Sequence, residues 1–274
     1  MQQPTVDDTE VRQLHRQLDT ALRELATLWR RVRHELDLAS RVHRSLLPDP
    51  VRDGPVHVDI RYIPIEQVGG DYCQVAFPSA DFCHISITDV TGHGIGSALL
   101  AACVSSEVRH ALFYDRAPRD IVRSLNRFVY EHFADTPMFL SFMATRIDVV
   151  RREVTYSGAG HPSPLLVRRR DRSAVRLNSQ NLLLGVLEDA LAPESETTLP
   201  MEPGDRLVFY TDGLTDTMTA DGHPLRMQEL TEIVASAMDV DLFEMADFVL
   251  DQVTQHQHSA PMDDITLIVA ELQP

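Results

Sequence analysis

Residues 84–100 of this chain read His84-Ile85-Ser86-Ile87-Thr88-Asp89-Val90-Thr91-Gly92-His93-Gly94-Ile95-Gly96-Ser97-Ala98-Leu99-Leu100. Apolar and polar residues alternate up to Asp89, which predicts a half-buried strand with Ile85 and Ile87 on one face. The glycines that follow permit backbone conformations that other residues resist, and an apolar helix begins after them. Two interpretations compete: the strand presents Asp89 to a metal ion, or the glycine-rich turn cradles the phosphates of a dinucleotide.

The dinucleotide interpretation fails on spacing. A fingerprint of that kind needs G-x-G-x-x-G at the start of a helix and an acidic residue about 20 positions later. Counted from Gly92, the third glycine position is occupied by Ser97, and no acidic residue ends a second strand at the required distance. We therefore favour presentation of Asp89 to a metal ion.

The composition narrows the class of protein. The 274 residues carry 25 basic and 41 acidic side chains, a net charge of −16, which argues against a protein that coats nucleic acid or an anionic membrane. Three cysteines without a C-x-x-C pair fit reduced thiols better than a disulfide framework. No apolar run approaches the ~18 residues of a membrane span, and the polar N-terminus does not resemble a signal peptide. We expect a cytoplasmic protein.

A long helix is predicted near the N-terminus. Residues 1–7 are polar and are expected to be disordered, whereas residues 8–47 contain neither glycine nor proline. Apolar residues recur in this helix at alternating spacings of three and four, as in Leu14, Leu18, Leu25 and Leu28. A helix of this length extends on the order of 60 Å, so pairing with a second chain is the natural way to bury the apolar seam. A single amphipathic helix packed on its own domain is the alternative.

The remainder, residues 48–274, is predicted as one domain in which strands come in blocks rather than in strict alternation with helices. This order favours an α+β sandwich of sheets flanked by helices over a doubly wound parallel sheet. Further strands are predicted at residues 56–62, 71–77, 138–149, 154–157, 164–167, 182–186, 207–210 and 265–272, and helices at residues 96–113, 118–129, 226–238 and 242–255. The basic run at residues 168–172 is interpreted as a solvated hairpin tip.

Four acid-bearing turns adjoin apolar strands, at Asp71, Asp89, Asp212 and the pair Asp263-Asp264. Each alone is commonplace, because Asp-Gly and Asp before a strand are ordinary turn signals. Four in one acidic chain indicate a carboxylate site of the kind that binds Mg²⁺ or Mn²⁺. The spacing of His and Cys residues does not suggest zinc.

The order of these motifs resembles the bacterial PPM phosphatases, and most closely their SpoIIE/RsbU branch. The likeness runs from about residue 36 to the C-terminus and rests on GGD at 69–71, DVTGHG at 89–94, GAGHP at 158–162, YTDGLTD at 210–216, DDIT at 263–266 and the helix end LASRVHRSLLP at 38–48. It implies an αββα sandwich of two antiparallel sheets, two Mn²⁺ or Mg²⁺ ions, and hydrolysis of phosphoserine or phosphothreonine on a protein.

The resemblance also implies roles for individual residues. The matching metal ligands are the carboxylates of Asp71, Asp89, Asp212 and Asp263 and the backbone carbonyl of Val90, with Asp71 and Asp89 as the catalytic pair. Asp264 adjoins the fourth carboxylate and is a candidate to share its role. Supporting positions are Gly70, Gly92, His93, Gly94 and His161.

Two positions depart from the family pattern. Many relatives carry a second Asp where this chain has Gln74, a change that weakens the expected metal binding. The eukaryotic members place a proposed general acid, a histidine, where this chain has Thr91, and His93 lies two residues too late to inherit that role.

The expected function is dephosphorylation of a phosphoserine STAS-domain protein of the anti-anti-sigma type by metal-activated water. A homodimer through the N-terminal helix and a separate activator acting on that helix are expected as well. Two alternatives share the fold: a non-catalytic signalling scaffold and a hydrolase of small phosphoesters.

Overall fold

The computed structural model describes residues 8–92, 94–189, 191–218, 222–256 and 261–274. The expected disorder of residues 1–7 therefore lies outside the described residues. The chain divides into two compact units, Met1–Val42 and His43–Pro274. Among the described residues, no helix has the length and apolar character needed to cross a membrane.

The described part of the first unit is helical, within α1 (Asp8–Leu46). Its predicted apolar seam is exposed along this unit: Leu14, Leu18, Leu25 and Leu28 each keep at least half of their surface accessible.

The second unit contains two antiparallel five-stranded sheets. The first sheet has the order β1 (Val56–Ile63), β10 (Ile265–Leu272), β9 (Arg206–Tyr210), β6 (Leu165–Val167) and β7 (Ala174–Arg176). The second has the order β2 (Tyr72–Ser79), β3 (Phe82–Val90), β4 (Leu140–Asp148), β5 (Glu153–Ala159) and β8 (Thr197–Pro200).

Helices cover the outer faces of both sheets. Side chains of α2 (Ile95–Phe113) and α3 (Pro118–Phe133) form a buried cluster with the second sheet. Those of α5 (Met227–Ser236) and α6 (Leu242–His256) do the same on the first sheet. A short helix, α4 (Asp212–Thr215), follows β9 directly. The predicted αββα sandwich with a long N-terminal helix is therefore confirmed.

The period-2 alternation of each strand produces the layers. In β3, Ile85 and Ile87 enter the core between the sheets, whereas Val90 packs against the helices. In β9, Leu207 and Phe209 face the same inter-sheet core. Since successive side chains point to opposite faces, this parity decides which polar residues at the strand ends face the space between the sheets.

Some predicted elements differ from the structure. Residues 182–186 do not form a strand: Leu184 makes only an isolated bridge to Leu140, and Gly185 adopts φ +87°. The apolar composition of these residues predicts a strand. The backbone of this segment instead bonds to a side chain, since Asn126 Oδ1 accepts the Gly185 N–H at 3.0 Å. The short elements β7, β8 and α4 were not predicted.

The basic run does lie at the tip of the β6–β7 hairpin, but only part of it is solvated. Arg170 is 81% exposed, whereas Arg168 is 13% exposed and pairs with the buried Asp205 at 2.8 Å.

Candidate metal centre

The acidic residues meet at one edge of the space between the two sheets. Asp71 immediately precedes β2, and Asp89 lies at the end of the neighbouring strand β3. On the other sheet, Asp212 follows β9 and Asp264 immediately precedes β10. The antiparallel pairings β2–β3 and β10–β9 bring these four strand ends together at the same edge.

Asp71 is buried, with 2% of its surface exposed. Its Oδ2 accepts hydrogen bonds from the hydroxyls of Thr211 at 2.8 Å and Thr266 at 2.7 Å. Both threonines share the inward parity of their strands, so the first sheet supplies the donors and the second supplies the carboxylate. Burial raises the pKa of Asp71 well above its ordinary value, and repulsion from Asp89 adds to the effect.

Asp89 has a pKa raised to about 7, first by burial and then by repulsion from Asp212, Asp263 and Asp264. The next residue, Val90, is buried, and its side chain packs toward the helices. Gly92 and Gly94 follow with φ +85° and +90°, conformations that L side chains rarely adopt. The glycines of this turn therefore allow the chain to reverse sharply from β3 into α2. His93 lies outside the described residues.

Asp212 and Asp263 complete the acidic group from the first sheet. Both are partly buried. The pKa of Asp212 is raised, first by burial and then by repulsion from Asp263 and Asp216. Asp263 Oδ1 accepts the backbone N–H of Asp264 at 2.8 Å, which fixes the turn that leads into β10.

Asp264 has a different set of partners from its neighbour. Its Oδ1 accepts the Ile65 N–H and its Oδ2 accepts the Gly70 N–H, both at 2.9 Å. Burial raises its pKa, and these two backbone donors oppose the rise. The carboxylate thus holds the loop before Asp71, an arrangement that favours Asp263 over Asp264 as the ligand from this pair.

Close backbone approach explains the paired glycines at 69–70. A Cβ at Gly70 would lie 2.7 Å from the Val90 carbonyl oxygen and 3.1 Å from Ser97 Cβ. A Cβ at Gly69 would overlap the carboxylate of Asp264. The loop before Asp71 is therefore packed directly against the end of β3, at Val90.

The donor types and the electrostatics of this edge fit a hard divalent cation. Asp71, Asp89 and Asp212 are each destabilised as anions, first by burial and then by a neighbouring carboxylate, and a bound cation would reverse that penalty. Within the described ranges, no three Asp, Glu, His or Cys side chains are already grouped closely enough to hold an ion. The carboxylates are neighbours whose oxygen positions do not define a coordination sphere.

His161 is buried behind the acidic edge. Its Nδ1 is 2.8 Å from the hydroxyl of Ser141, the residue paired with Asp89 across β3 and β4. Burial lowers its pKa to about 3, so the ring is neutral and a supporting role is favoured over proton donation.

The hydroxyl of Thr91 is hydrogen-bonded to the backbone, which disfavours a role in proton transfer as well. Its hydroxyl donates to the Phe139 carbonyl at 3.1 Å and accepts the Phe139 N–H at 3.0 Å. The side chain thereby fastens the end of β3 to the start of β4.

Sequence reasoning missed Thr211 and Thr266. Both stand inside the motifs quoted above, one before Asp212 and one two positions after Asp264. The available signal was the alternation of side chains along their strands, which points both threonines toward the space between the sheets. That both hydroxyls bind Asp71 depends on contacts distant in sequence, because Thr211 and Thr266 lie 140 and 195 positions from Asp71.

Comparison with known proteins agrees with this architecture. The family model described as Stage II sporulation protein E (SpoIIE) matches residues 79–273. The phosphoserine phosphatase RsbU of Bacillus subtilis is 26% identical over 239 residues, which cover 87% of this chain and 70% of RsbU. The phosphoserine phosphatase RsbP of the same organism is 25% identical over 246 residues, covering 88% of this chain and 58% of RsbP.

A solved structure supports the fold independently. The SiaA-PP2C domain of Pseudomonas aeruginosa superposes with a TM-score of 0.78 at 22% identity, covering 91% of this chain and all of that one. At this identity the likeness establishes the shared fold alone.

Proposed function

Because this chain belongs to the SpoIIE family, in the RsbU branch of the PPM-type serine phosphatases, we propose that it hydrolyses phosphoserine on a STAS-domain regulator of the anti-anti-sigma type. The observation that carries the proposal is the convergence of Asp71, Asp89 and Asp212 at one edge of the sandwich, where the pKa of each is raised first by burial and then by a neighbouring carboxylate. Buried, uncompensated carboxylates are costly unless a cation binds them.

The proposed reaction is hydrolysis: a water molecule attacks phosphorus, the bond between phosphorus and the serine oxygen breaks, and inorganic phosphate and serine are released. Two divalent cations, Mn²⁺ or Mg²⁺, supply a lowered water pKa and neutralise phosphate oxygens when they are bound. Asp71, Asp89, Asp212, Asp263 and the Val90 carbonyl would hold them. The hydroxyls of Thr211 and Thr266 orient Asp71, and Asp264 holds the loop in front of it. No protein nucleophile is needed.

The direct test is Mn²⁺-dependent release of phosphate from a phosphoserine STAS protein, with Asp89→Asn as the matched variant. We expect activity in the wild type that EDTA removes, and a loss of at least about a hundredfold in the variant, since removing a ligand weakens a metal contribution of several kcal/mol. Equal rates in the two proteins would contradict the enzymatic proposal. If the wild type hydrolysed a small phosphoester but not the protein substrate, only the proposed substrate would be wrong.

The exposed seam of α1 supports a homodimer. Leu18 and Leu25 lie one heptad apart and are each about half exposed. Replacing both with Asp places like charges at the proposed interface, so we expect light scattering to report a monomer where the wild type is a dimer. An unchanged mass would contradict the coiled coil. Exchanging the exposed Gln13 and Thr20 for Asp is the control, because these residues also lie one heptad apart but outside the seam, and it should leave the mass of the dimer intact.

We extend the proposal to a partner-switching context, which the resemblance to the RsbU branch implies. We propose that a separate activator acts through the N-terminal helix and that the protein works in the cytoplasm. Cys73, Cys83 and Cys103 are all free thiols, as expected in a reducing compartment.

A further inference from the structure

A buried polar cluster lies on the helix-facing side of β2 and centres on Tyr72 and Gln74. Their exposed fractions are 1% and 5%, and their shared parity points both side chains toward α2. Gln74 occupies the position where many relatives carry a second Asp. The cluster thus begins one residue after Asp71 but on the opposite face of the strand.

The hydrogen bonds of Tyr72 and of the Gln74 amide nitrogen are fully assigned. The Tyr72 hydroxyl donates to the Leu46 carbonyl at 2.8 Å and accepts from Gln74 Nε2 at 3.1 Å and Arg109 Nη2 at 3.3 Å. Gln74 Nε2 uses its second hydrogen on the Ser105 carbonyl at 2.6 Å. A hydroxyl has one donor and two acceptor positions, and an amide nitrogen has two donors, so both groups are saturated.

This arrangement requires an amide. A carboxylate has no hydrogen to donate, and in place of Gln74 it would face the Ser105 carbonyl, which can only accept, and the Tyr72 hydroxyl, whose single hydrogen is already donated to the Leu46 carbonyl. Leaving buried polar groups without partners is more costly than the hydrogen bonds themselves are stabilising. Gln74 is therefore a specific fit to this chain rather than a decayed ligand.

The cluster joins two elements, β2 and α2, that begin next to the acidic edge. Strand β2 starts directly after Asp71, and α2 follows the turn that comes after Asp89 and Val90 at the end of β3. The main chain of the loop before β2 already contacts that turn, since Gly70 allows close approach to the Val90 carbonyl. Gln74 adds a fixed tie between the same strand and Ser105, halfway along α2.

We propose that Gln74 is a positioning residue that sets the affinity of the acidic edge for divalent metal. The β2–β3 pairing sets how far Asp71 lies from Asp89. By tying β2 to α2, Gln74 fixes the start of α2 against Gly70 and Asp71 before any ion binds. Preorganised ligands bind more tightly because less ordering remains to be done on binding. The inference rests on the proposed function insofar as it takes this edge to be the metal centre.

The test is a calorimetric titration of the metal-free chain with Mn²⁺, comparing wild type with Gln74→Glu. The substitution keeps the size of the side chain and removes both donors. We expect Mn²⁺ binding to weaken by at least about tenfold. Activity at saturating Mn²⁺ should fall far less than activity at limiting Mn²⁺, a separation that general loss of packing does not produce.

Asn126→Asp is the matched control. Asn126 is 1% exposed, and its Nδ2 donates to the carbonyls of Leu187 and Glu188, both at 3.0 Å, so this variant suffers the same loss of donors on a helix that carries no proposed ligand. It should lower the melting temperature and leave Mn²⁺ affinity unchanged. If Gln74→Glu does not fold, Tyr72→Phe removes the centre of the cluster and is expected to weaken Mn²⁺ binding in the same direction.

Three results would overturn the inference: unchanged Mn²⁺ affinity in Gln74→Glu, or in Tyr72→Phe where that variant replaces it; an equal loss of affinity in Asn126→Asp; or no Mn²⁺ binding by the wild type. A wild type that binds Mn²⁺ but releases no phosphate from any phosphoprotein would instead overturn the phosphatase proposal and leave the role of Gln74 intact.

Discussion

Asp71→Asn is expected to abolish phosphatase activity and, at the same time, to stabilise the metal-free protein. The loss of activity should be at least about a thousandfold, because a metal centre contributes several kcal/mol and each 1.36 kcal/mol is a factor of ten in rate. The gain in stability follows from charge. Asp71 is buried, its pKa is raised by burial and by Asp89, and an amide removes that repulsion while it still accepts a hydroxyl hydrogen bond.

The measurement is the melting temperature in EDTA alongside phosphate release in Mn²⁺. Repulsion between two close carboxylates is at least about 1 kcal/mol, the value for bulk water, which corresponds to a rise of roughly 2–4 °C or more in melting temperature. Mn²⁺ should stabilise the wild type strongly and the variant weakly, since a ligand that binds only the folded state raises its stability.

Asp205→Asn is the matched control for this pair of effects. Asp205 is as buried as Asp71, at 2% exposed, but its Oδ2 is compensated by Arg168 at 2.8 Å and its Oδ1 accepts the Arg169 N–H at 2.9 Å. The same chemical change should therefore lower the melting temperature and leave activity in place. A destabilised Asp71→Asn variant, or one that keeps its activity, would contradict the assignment of Asp71 to a cation site.

The positions of the acidic residues were predictable because they depend on local patterns. Alternation in residues 84–89 fixes Ile85, Ile87 and Asp89 on one face, so a strand that buries its isoleucines must also point its terminal acid inward. The same rule applies to the strand that begins at residue 72. Apolar periodicity predicted the strand blocks and so favoured a sandwich of sheets flanked by helices, whereas the αββα order was implied by the family resemblance.

The partners of those residues were not predictable, because they are set by contacts distant in sequence. Nothing near Asp264 indicates that its oxygens accept the N–H groups of Ile65 and Gly70, almost 200 residues away. The sequence predicts weaker metal binding from Gln74, and only the tertiary fold shows that its two amide hydrogens are donated to Tyr72 and Ser105. In each case a polar side chain satisfies backbone groups that are exposed only by the tertiary fold.

Gly213 is required by close packing rather than by its backbone conformation. Asp212-Gly213 is an ordinary turn signal, and turns often use glycine for the left-handed region. Its φ lies outside that region. The glycine is needed because a Cβ there would overlap the Asp264 carbonyl oxygen and lie 2.9 Å from that of Asp263. The turn that carries Asp212 and the turn that carries Asp263 therefore meet at this residue.

Gly213→Ala is therefore expected to lower the stability of the fold by about 3 kcal/mol or more, at the upper end of the cost of overpacking, because the atoms in the way are backbone. That corresponds to a fall of roughly 6–12 °C in melting temperature. Activity should fall below about 1% of wild type even well below the melting point, since relief of the clash separates Asp212 from Asp263. The measurements are thermal unfolding and phosphate release at 25 °C.

Gly96→Ala is the control for adding a methyl group to a glycine of this chain. Gly96 lies in the first turn of α2, outside the left-handed region, and the nearest atom to a Cβ there is Met138 Cε at 3.7 Å, an ordinary contact. Alanine favours a helix over glycine by up to about 1 kcal/mol, so this variant should keep or slightly raise the melting temperature. If Gly213→Ala behaved like Gly96→Ala, the two turns would not be in contact, and the first sheet would not hold Asp212 and Asp263 in one site.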